Sequence, residues 1–277
     1  QTFIDKSYLP DVAEVAAAFS KYFSIGKGCG NFLAYGVFPE SENNFTNLLP
    51  SGAVIGGSLI SFDATKITED VRYSLYSSSS GLHPTQGQTV PEPHKNGAYS
   101  WLKAPRYNGT VMEVGPLARI MVSYLKGDNQ AVKNLVHGLL AKLRRKPEDL
   151  LSVLGRHAAR AIECKVVADR CAEWVEELIP GEPTFQDFDI PETGRGIGLT
   201  EAPRGALGHW LEINDHKIGR YQCVVPTTWN CSPRDDNGNP GAVEQALAGT
   251  PIADSENPIE ATRVVRSFDP CIACAVH

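Results

Sequence analysis

The stretch Asp269-Pro-Cys-Ile-Ala-Cys-Ala-Val-His277 carries more information about this chain than any other segment of it. Two thiols stand three residues apart, and a histidine follows three residues later. Positions with this spacing lie on the same face of a helical turn, so we expect Cys271, Cys274 and His277 to face the same way. Two soft sulfur donors and an imidazole are a typical ligand set for a transition metal.

Three other interpretations of the two cysteines stay open on spacing alone. A dithiol redox pair usually opens a helix that follows a strand, whereas this pair stands at the end of the sequence. A structural zinc site usually has a second Cys-x-x-Cys or His-x-His partner, which the 277 residues lack. The third interpretation is a pair of buried thiols without a chemical role. The metal interpretation also requires that the two sulfurs are not joined to each other.

Four segments of the chain, in order, resemble the large subunit of nickel–iron hydrogenases. They are Leu154-Gly-Arg-His-Ala-Ala-Arg-Ala-Ile-Glu163, Ala202-Pro-Arg-Gly-Ala-Leu-Gly-His-Trp210, Tyr221-Gln-Cys-Val-Val-Pro-Thr-Thr-Trp-Asn230 and the terminal Asp-Pro-Cys-x-x-Cys-x-x-His. Lys103-Ala-Pro-Arg-Tyr107 and Met112-Glu-Val-Gly-Pro-Leu-Ala-Arg119 are also similar to family segments. The resemblance covers essentially the whole chain, and its terminal motif is specific.

One element of the family pattern is missing from these residues. The family has a second cysteine pair, in an Arg-x-Cys-x-x-Cys motif near the start of a longer large subunit, and this motif does not occur here. The sequence also opens with Gln1 rather than Met. We therefore expect residues 1–277 to be the C-terminal half of a large subunit, one domain that needs the N-terminal half for completion. In the family an endopeptidase exposes the final histidine, so an end at His277 fits the processed form.

The resemblance implies a nickel–iron centre on the terminal motif. Cys271 would be a terminal ligand of nickel and the first candidate for the catalytic base, and Cys274 would bridge nickel and iron. The iron would carry carbon monoxide and cyanide, and the remaining thiolates would come from the missing cysteine pair. In a subgroup of the family selenocysteine takes the position of Cys271, where this sequence has cysteine.

The resemblance also implies a set of residues around that centre. Arg204 would overhang the metals and supply a fixed positive charge, as arginine guanidinium groups do in proteins. Asp269 would be catalytic with it, by pairing with Arg204 or by fixing the cysteine turn; a simple N-cap is the alternative. Pro203, Arg204, Pro226 and Thr227 would form the pocket for the diatomic ligands. Without the surrounding motif, Arg204 would be interpreted as a surface salt-bridge residue.

A second metal site is implied beside the first. His277 resembles the ligand of Mg²⁺, or of iron(II), close to the nickel–iron centre. Because Mg²⁺ prefers oxygen ligands, the backbone carbonyl of Cys223 would join it together with waters and a carboxylate from the missing half. His209 would bond to those waters or relay protons. A plain packed histidine is the alternative for His209.

The functional hypothesis is reversible oxidation of dihydrogen to protons and electrons. The electrons would leave through iron–sulfur clusters of a small subunit, because this chain lacks the cysteines for such clusters. Two alternatives stay open: a non-catalytic hydrogenase-like scaffold subunit, and a zinc-stabilised interaction module. Details of the terminal motif resemble the respiratory uptake branch, which predicts a periplasmic enzyme.

Composition limits the remaining options. The chain is 42% hydrophobic and 21% charged, which is ordinary for a globular domain, and its net charge is −6. That charge argues against a nucleic-acid partner. No apolar run reaches the length of about 18 residues that a membrane span needs, and no signal peptide is evident. Export would therefore depend on a partner, as would any membrane association. Seven cysteines, irregularly spaced, do not indicate a disulfide framework.

Periodicity predicts an α+β fold that is mainly helical, with long central helices, short strands and a peripheral β-hairpin. The predicted helices are 10–24, 114–126, 129–144, 147–178 and 240–248. The predicted strands are 32–38 and 53–61, with the hairpin at 208–214 and 217–225. Loops are predicted at 77–98, 180–196 and 232–242. Cys164 and Cys171, seven apart on the longest helix, are expected to be buried, whereas His83 and His94 are expected in solvent.

Overall fold

The computed structural model describes residues 1–41 and 44–275. His277, the predicted ligand of the second metal, lies outside the described residues. The α-helices are α1 Leu9–Ala18, α2 Pro116–Lys126, α3 Gln130–Leu143, α4 Val153–Glu177, α5 Pro226–Asn230, α6 Ala242–Leu247, α7 Ile259–Ser267 and α8 Ile272–Ala275.

Ten strands accompany these eight helices in the described part of the chain. They are β1 Phe32–Ala34, β2 Val37–Ser41, β3 Asn44–Leu49, β4 Gly52–Ile55, β5 Ser58–Ile60, β6 Ile67–Asp70, β7 Ala104–Tyr107, β8 Thr193–Ala202, β9 Gly205–Asn214 and β10 Lys217–Val224. They form antiparallel sheets in the orders β1-β4-β5, β2-β3, β6-β7 and β10-β9-β8. The α+β class is as predicted, but the strands are more numerous than the sequence indicated.

Local signals set the ends of the central helices. The Ser152 hydroxyl accepts a bond from the Gly155 amide at the start of α4, and the Asn129 side chain accepts one from Val132 at the start of α3. Such caps satisfy amide groups that have no partner inside the helix. Helix α2 begins with Pro116 and ends before Gly127, which has the left-handed conformation common after a helix.

Helix α2 is the centre of the main core. All residues from 117 to 123 are buried, because α4 packs on one side of α2 and the β1-β4-β5 sheet on another. Burial of one aliphatic side chain such as Ile120 contributes about 1.5–3 kcal/mol. Arg119 lies in this buried stretch with only 1% of its surface exposed. A charge in such a place requires partners.

The β8-β9-β10 sheet brings one turn to the functional region. Ala202 pairs with Gly205, so Pro203 and Arg204 form the turn between β8 and β9. At the other end, the turn between β9 and β10 consists of Asp215 and His216, both at positive φ, as two-residue hairpin turns require. The predicted hairpin is thus confirmed, whereas strand β8 was not predicted.

Some predicted elements are divided by tertiary structure. The first helix ends at Ala18 and a short 3-10 turn follows at Ser20–Phe23. The predicted strand 32–38 is broken at Gly36, which has a φ of 87°, and 53–61 forms the β4-β5 hairpin. The predicted loop 77–98 has neither helix nor strand. None of the described helices is both long enough and apolar enough to cross a membrane.

The expected burial of two cysteines is wrong. Cys164 and Cys171 are both exposed. The buried residues of α4 end at Val166, and the C-terminal part of this helix extends beyond the core. A spacing of seven residues indicates that two side chains share a face, but it does not indicate that this face meets the core.

Candidate metal centre

The cysteine pair lies in a sharp turn after α7. Asp269 has a φ of 53°, a left-handed conformation that Asp tolerates better than most residues. Pro270 follows it, and the chain then enters the short helix α8, whose Ala275 amide donates to the Cys271 carbonyl at 3.0 Å. The turn is held against α5 by a bond from the Cys271 amide to Thr227 Oγ1, at 3.1 Å.

The sulfur atoms of Cys271 and Cys274 are joined as a disulfide, with their Cα atoms 5.3 Å apart. The requirement that the two sulfurs are separate is therefore not met in this form of the protein. A disulfide has no thiolate to offer a metal, so this pair can bind one only after reduction. The bond does establish that both side chains reach the same point, as their spacing predicted.

Arg204 spans from the β8-β9 turn to the cysteine turn. Its Nε donates to the Asp269 carbonyl at 2.8 Å and lies 3.2 Å from Oδ2, and its Nη2 lies 3.4 Å from Oδ1. The predicted pairing of these residues is confirmed. Both side chains are substantially exposed, at 37% and 46%, so the ion pair contributes only about 0–1 kcal/mol. Its consequence is the placement of a cation beside the cysteines.

Helix α5 is buried and packs against the cysteine turn. Pro226 occupies its first position, and all residues from Pro226 to Asn230 are buried. The Asn230 side chain accepts from the Val114 amide and donates to the Val114 carbonyl, both at 3.0 Å. Thr227 is therefore well anchored, and its hydroxyl, which accepts from Cys271, can still donate one bond. Pro203, by contrast, is exposed in its turn.

A cavity of about 180 Å³ lies next to the terminal helix and is lined by both Cys223 and Ala275. Three buried polar side chains also line it. Gln222 Nε2 donates to Glu69 Oε2 at 2.9 Å, and Lys103 Nζ lies 3.7 Å from the same oxygen. Burial lowers the pKa of Lys103, and Glu69 partly opposes that shift. Cys223 is thus close to the end of the described chain, where the second metal was predicted.

His209 is not among the residues that line this cavity. It faces Cys223 across the β9-β10 pair, and its Nδ1 shares a hydrogen bond with the Tyr221 hydroxyl. Burial raises the pKa of that hydroxyl. The structure therefore places His209 beside Tyr221 on the sheet.

Within residues 1–41 and 44–275, no group of three or more His, Cys, Asp or Glu side chains is arranged to hold a metal ion. The two joined cysteines are the sulfur donors at this place, with Arg204 and Asp269 beside them. Two sulfurs are fewer than the four donors of a typical thiolate site. The arrangement is therefore that of part of a site.

The buried residues behind Arg204 were not predicted from the sequence. Arg119 binds Glu163 on α4 and Glu201 at the end of β8. Glu69 and Lys103 were likewise not predicted to have a role. The available signal was charged residues within otherwise apolar stretches, which are seldom buried without a partner.

Comparisons with known proteins agree with the resemblance. The family model for nickel-dependent hydrogenases matches residues 1–277. The chain is 42% identical over 282 residues to the periplasmic NiFeSe hydrogenase large subunit of Desulfomicrobium baculatum, covering 100% of this chain and 55% of that protein. It is 39% identical to the uptake hydrogenase large subunit of Bradyrhizobium diazoefficiens, covering 99% of this chain and 52% of the relative.

Solved structures give the same result. The H2-activated NiFeSe hydrogenase of Dm. baculatum superposes with a TM-score of 0.91 at 41% identity, covering 100% of this chain and 58% of that one. The reduced Ni-Fe-Se hydrogenase of D. vulgaris Hildenborough superposes with a TM-score of 0.89 at 38% identity, with the same coverage of 100% and 58%. The chain thus spans about half the length of the relatives that it matches.

Proposed function

The chain belongs to the nickel-dependent hydrogenase family, and we propose that it forms the catalytic C-terminal portion of a hydrogenase large subunit. With the rest of that subunit it would oxidise dihydrogen reversibly and pass the electrons to an iron–sulfur small subunit. The observation that carries this proposal is the convergence of Cys271 and Cys274 beside the Arg204–Asp269 pair, at the end of a chain that matches the family throughout.

The residues of the turn fit a nickel–iron centre. After reduction, Cys271 and Cys274 provide two soft thiolates at one point, as nickel and iron require. Cys271 would be a terminal nickel ligand, and Cys274 would be shared with an iron that carries carbon monoxide and cyanide. The other thiolates would come from the N-terminal part of the large subunit. When bound, the centre would supply the redox-active Lewis acid for heterolytic cleavage of dihydrogen.

The chain's own residues would hold the proton and supply a positive charge at the site. The Cys271 sulfur would hold the proton that leaves dihydrogen, and Asp269 keeps the turn next to Arg204 through its carbonyl and carboxylate. The Arg204 guanidinium would act as a fixed cation at the cleft. Pro203, Pro226 and Thr227 would shape the pocket for the diatomic ligands.

A second ion would sit at the cavity beside the terminal helix. Cys223 would contribute its backbone carbonyl, and His277 its imidazole, to Mg²⁺ or iron(II). The buried Glu69, Lys103 and Gln222 support this assignment, since they can bond to the waters that Mg²⁺ usually keeps. His209 would relay protons through its Tyr221 neighbour.

The relatives support the location. The Desulfomicrobium baculatum relative is named as periplasmic, and we propose the same compartment for this chain. Any membrane association would be through partners.

Elemental analysis of the purified, reduced assembly tests the proposal. We expect stoichiometric nickel and iron, together with uptake of dihydrogen. Cys271→Ser should abolish nickel-dependent turnover, whereas Cys231→Ser, at a half-buried cysteine just after α5, should keep both metals and turnover.

Three results would contradict the proposal. Zinc as the only metal would favour an interaction module, and an assembly without metal would favour a scaffold subunit. Unchanged turnover in Cys271→Ser would refute the assignment of the base and nickel ligand.

A further inference from the structure

The Arg119 side chain has a complete set of acceptors. Its Nε donates to Glu163 Oε2 at 2.9 Å, and its Nη2 donates to Glu163 Oε1 at 2.7 Å. Nη1 donates to Glu201 Oε2 at 2.7 Å. The other two bonds go to the carbonyls of Ala202, at 3.1 Å, and Pro203, at 2.9 Å. All five N–H groups that a guanidinium possesses are therefore used.

These acceptors lie beside the turn between β8 and β9. Glu163 belongs to α4, whereas Glu201 and Ala202 are the last residues of β8. Ala202 and Pro203 are the two residues immediately before Arg204. An ion pair that served the core alone would need the carboxylates and not these two carbonyls.

The backbone of the same turn is confined from a second side by the start of α2. A Cβ added at Gly205 would lie 2.5 Å from the Gly115 amide nitrogen, and one added at Gly115 would lie 2.8 Å from the Arg204 carbonyl. Both glycines have positive φ, at 132° and 116°. The backbone at Gly115 and the backbone at residues 204–205 are thus in direct contact, and a side chain at either glycine would force them apart.

We propose that Arg119 is a positioning residue: by fixing the carbonyls of Ala202 and Pro203, it sets where the Arg204 guanidinium stands over the cysteine turn. This inference rests on the proposed function, because Arg204 is taken as the cation of the catalytic cleft. Arg119 itself is buried behind the turn and acts only through Arg204. Lysine cannot replace it, since a single ammonium cannot reach five acceptors in three directions.

Arg106 provides a matched control. Its guanidinium is also 1% exposed and binds Asp235 at 3.0 Å. It also bonds to the carbonyls of Pro105, Pro233 and Asn239. It therefore has the same kind of surroundings as Arg119, but none of its acceptors lies in the turn that carries Arg204.

The test compares Arg119→Lys with Arg106→Lys in the complete, metal-loaded enzyme. In Arg119→Lys we expect retained nickel and iron, shifted infrared bands of the carbon monoxide and cyanide ligands, and faster amide exchange confined to residues 202–205. Turnover should fall by roughly 10- to 100-fold, because small misplacements of a catalytic group have effects of that order. In Arg106→Lys the bands should stay in place, and exchange should rise around residues 232–241 instead.

The outcomes separate the inference from the proposed function. Unshifted bands and unchanged exchange at 202–205 in Arg119→Lys would overturn the inference, and so would equal shifts in both variants. Wild-type protein without nickel, iron or these bands would overturn the proposed function. The exchange measurement would then still decide whether Arg119 holds the turn.

Loss of folding in Arg119→Lys would move the test to Glu163→Gln. This variant keeps the shape and one acceptor oxygen of Glu163 but removes its charge, and two of the three Arg119 N–H groups on Nε and Nη2 donate to that carboxylate. The same bands and amides should change in the same direction. No change in Glu163→Gln would count against the inference.

Discussion

Asp269 and Cys271 in the cysteine turn are partly exposed, whereas Arg106, Arg119 and Arg156 are buried, with 1–2% of their surface exposed. We refer to these three side chains as the arginine frame. The turn is held by a few directional bonds, from Arg204 and to Thr227. Each frame arginine instead binds a carboxylate and several backbone or hydroxyl oxygens.

The difference separates chemistry from stability. A reactive group needs access to its ligands, so it cannot be fully buried within these residues. Buried residues must then fix the position of the reactive group. Changes that remove the charge of a frame arginine should therefore affect folding first, and changes in the turn should affect metals and turnover with the fold intact.

The largest expected effect is in the frame. Arg156 binds both oxygens of the buried Glu113, at 2.7 and 2.8 Å, and its guanidinium stacks on Phe268 just before the cysteine turn. Arg156→Met would leave Glu113 buried without its cation, which costs about 3–5 kcal/mol. The free energy of unfolding and the soluble yield of the complete protein measure this. Arg195→Met, at an exposed pair with Glu212, should change stability by about 1 kcal/mol or less. Equal losses in the two variants would erase the distinction between frame and surface.

The next effect is in the turn. Arg204→Lys keeps a positive charge but loses the fork that reaches the Asp269 carbonyl and carboxylate. Turnover should fall by about 100-fold, as when one preorganised donor is removed from an active site. Nickel, iron and the unfolding midpoint should remain as in the wild type. A variant that loses its metals, or its fold, would show that the turn is a structural element after all.

The third effect is a pH dependence of local stability at Glu201, which binds the frame residue Arg119 at the end of β8. Burial raises the pKa of Glu201 to about 7, although Arg119 and the Tyr35 amide oppose the shift and Glu163 adds to it. The folded state then holds this proton more firmly than the unfolded chain does. Local stability from Glu201 is present below about pH 4.5 and is lost as the pH rises through about 7.

Glu201→Gln tests that dependence, because glutamine does not titrate. Between pH 5 and 8, amide protection of residues 199–207 in the wild type should decrease relative to the variant by about 1–3 kcal/mol. Exchange should be measured in the complete protein and corrected for the intrinsic rates. Parallel profiles for the two proteins would mean that Glu201 is ionised throughout this range.

The smallest effect concerns the bond from the Cys271 amide to Thr227. Thr227→Val keeps the shape of the side chain and removes its acceptor, so the turn should lose about 1 kcal/mol of local stability. Exchange of the Cys271 amide should accelerate by the corresponding factor of about five, whereas Thr227→Ser should retain the protection. If valine and serine behave alike, the turn is held by packing on α5 alone.

The central helices followed from local signals. The predicted segments 114–126 and 129–144 are close to the observed Pro116–Lys126 and Gln130–Leu143, because proline, glycine and the Asn129 cap act on their own neighbours. Strand β8 was not predicted, since it is an edge strand with alternate exposed positions and gains its order from β9. The expected burial of Cys164 was wrong for a related reason: the face that meets the core depends on what packs there.

What the sequence by itself determined is the local chemistry: two thiols spaced to meet, a turn at Asp269-Pro270, and ordered segments that identify the family. Only the tertiary structure decided which charges stand together. Arg119 is 44 residues from Glu163 and 82 from Glu201, and Arg204 is 65 from Asp269. Spacing along the chain specifies a partner only within a turn of helix or strand, whereas distant partners are selected by the packing that brings α2, α4 and the β8-β9 turn to one point.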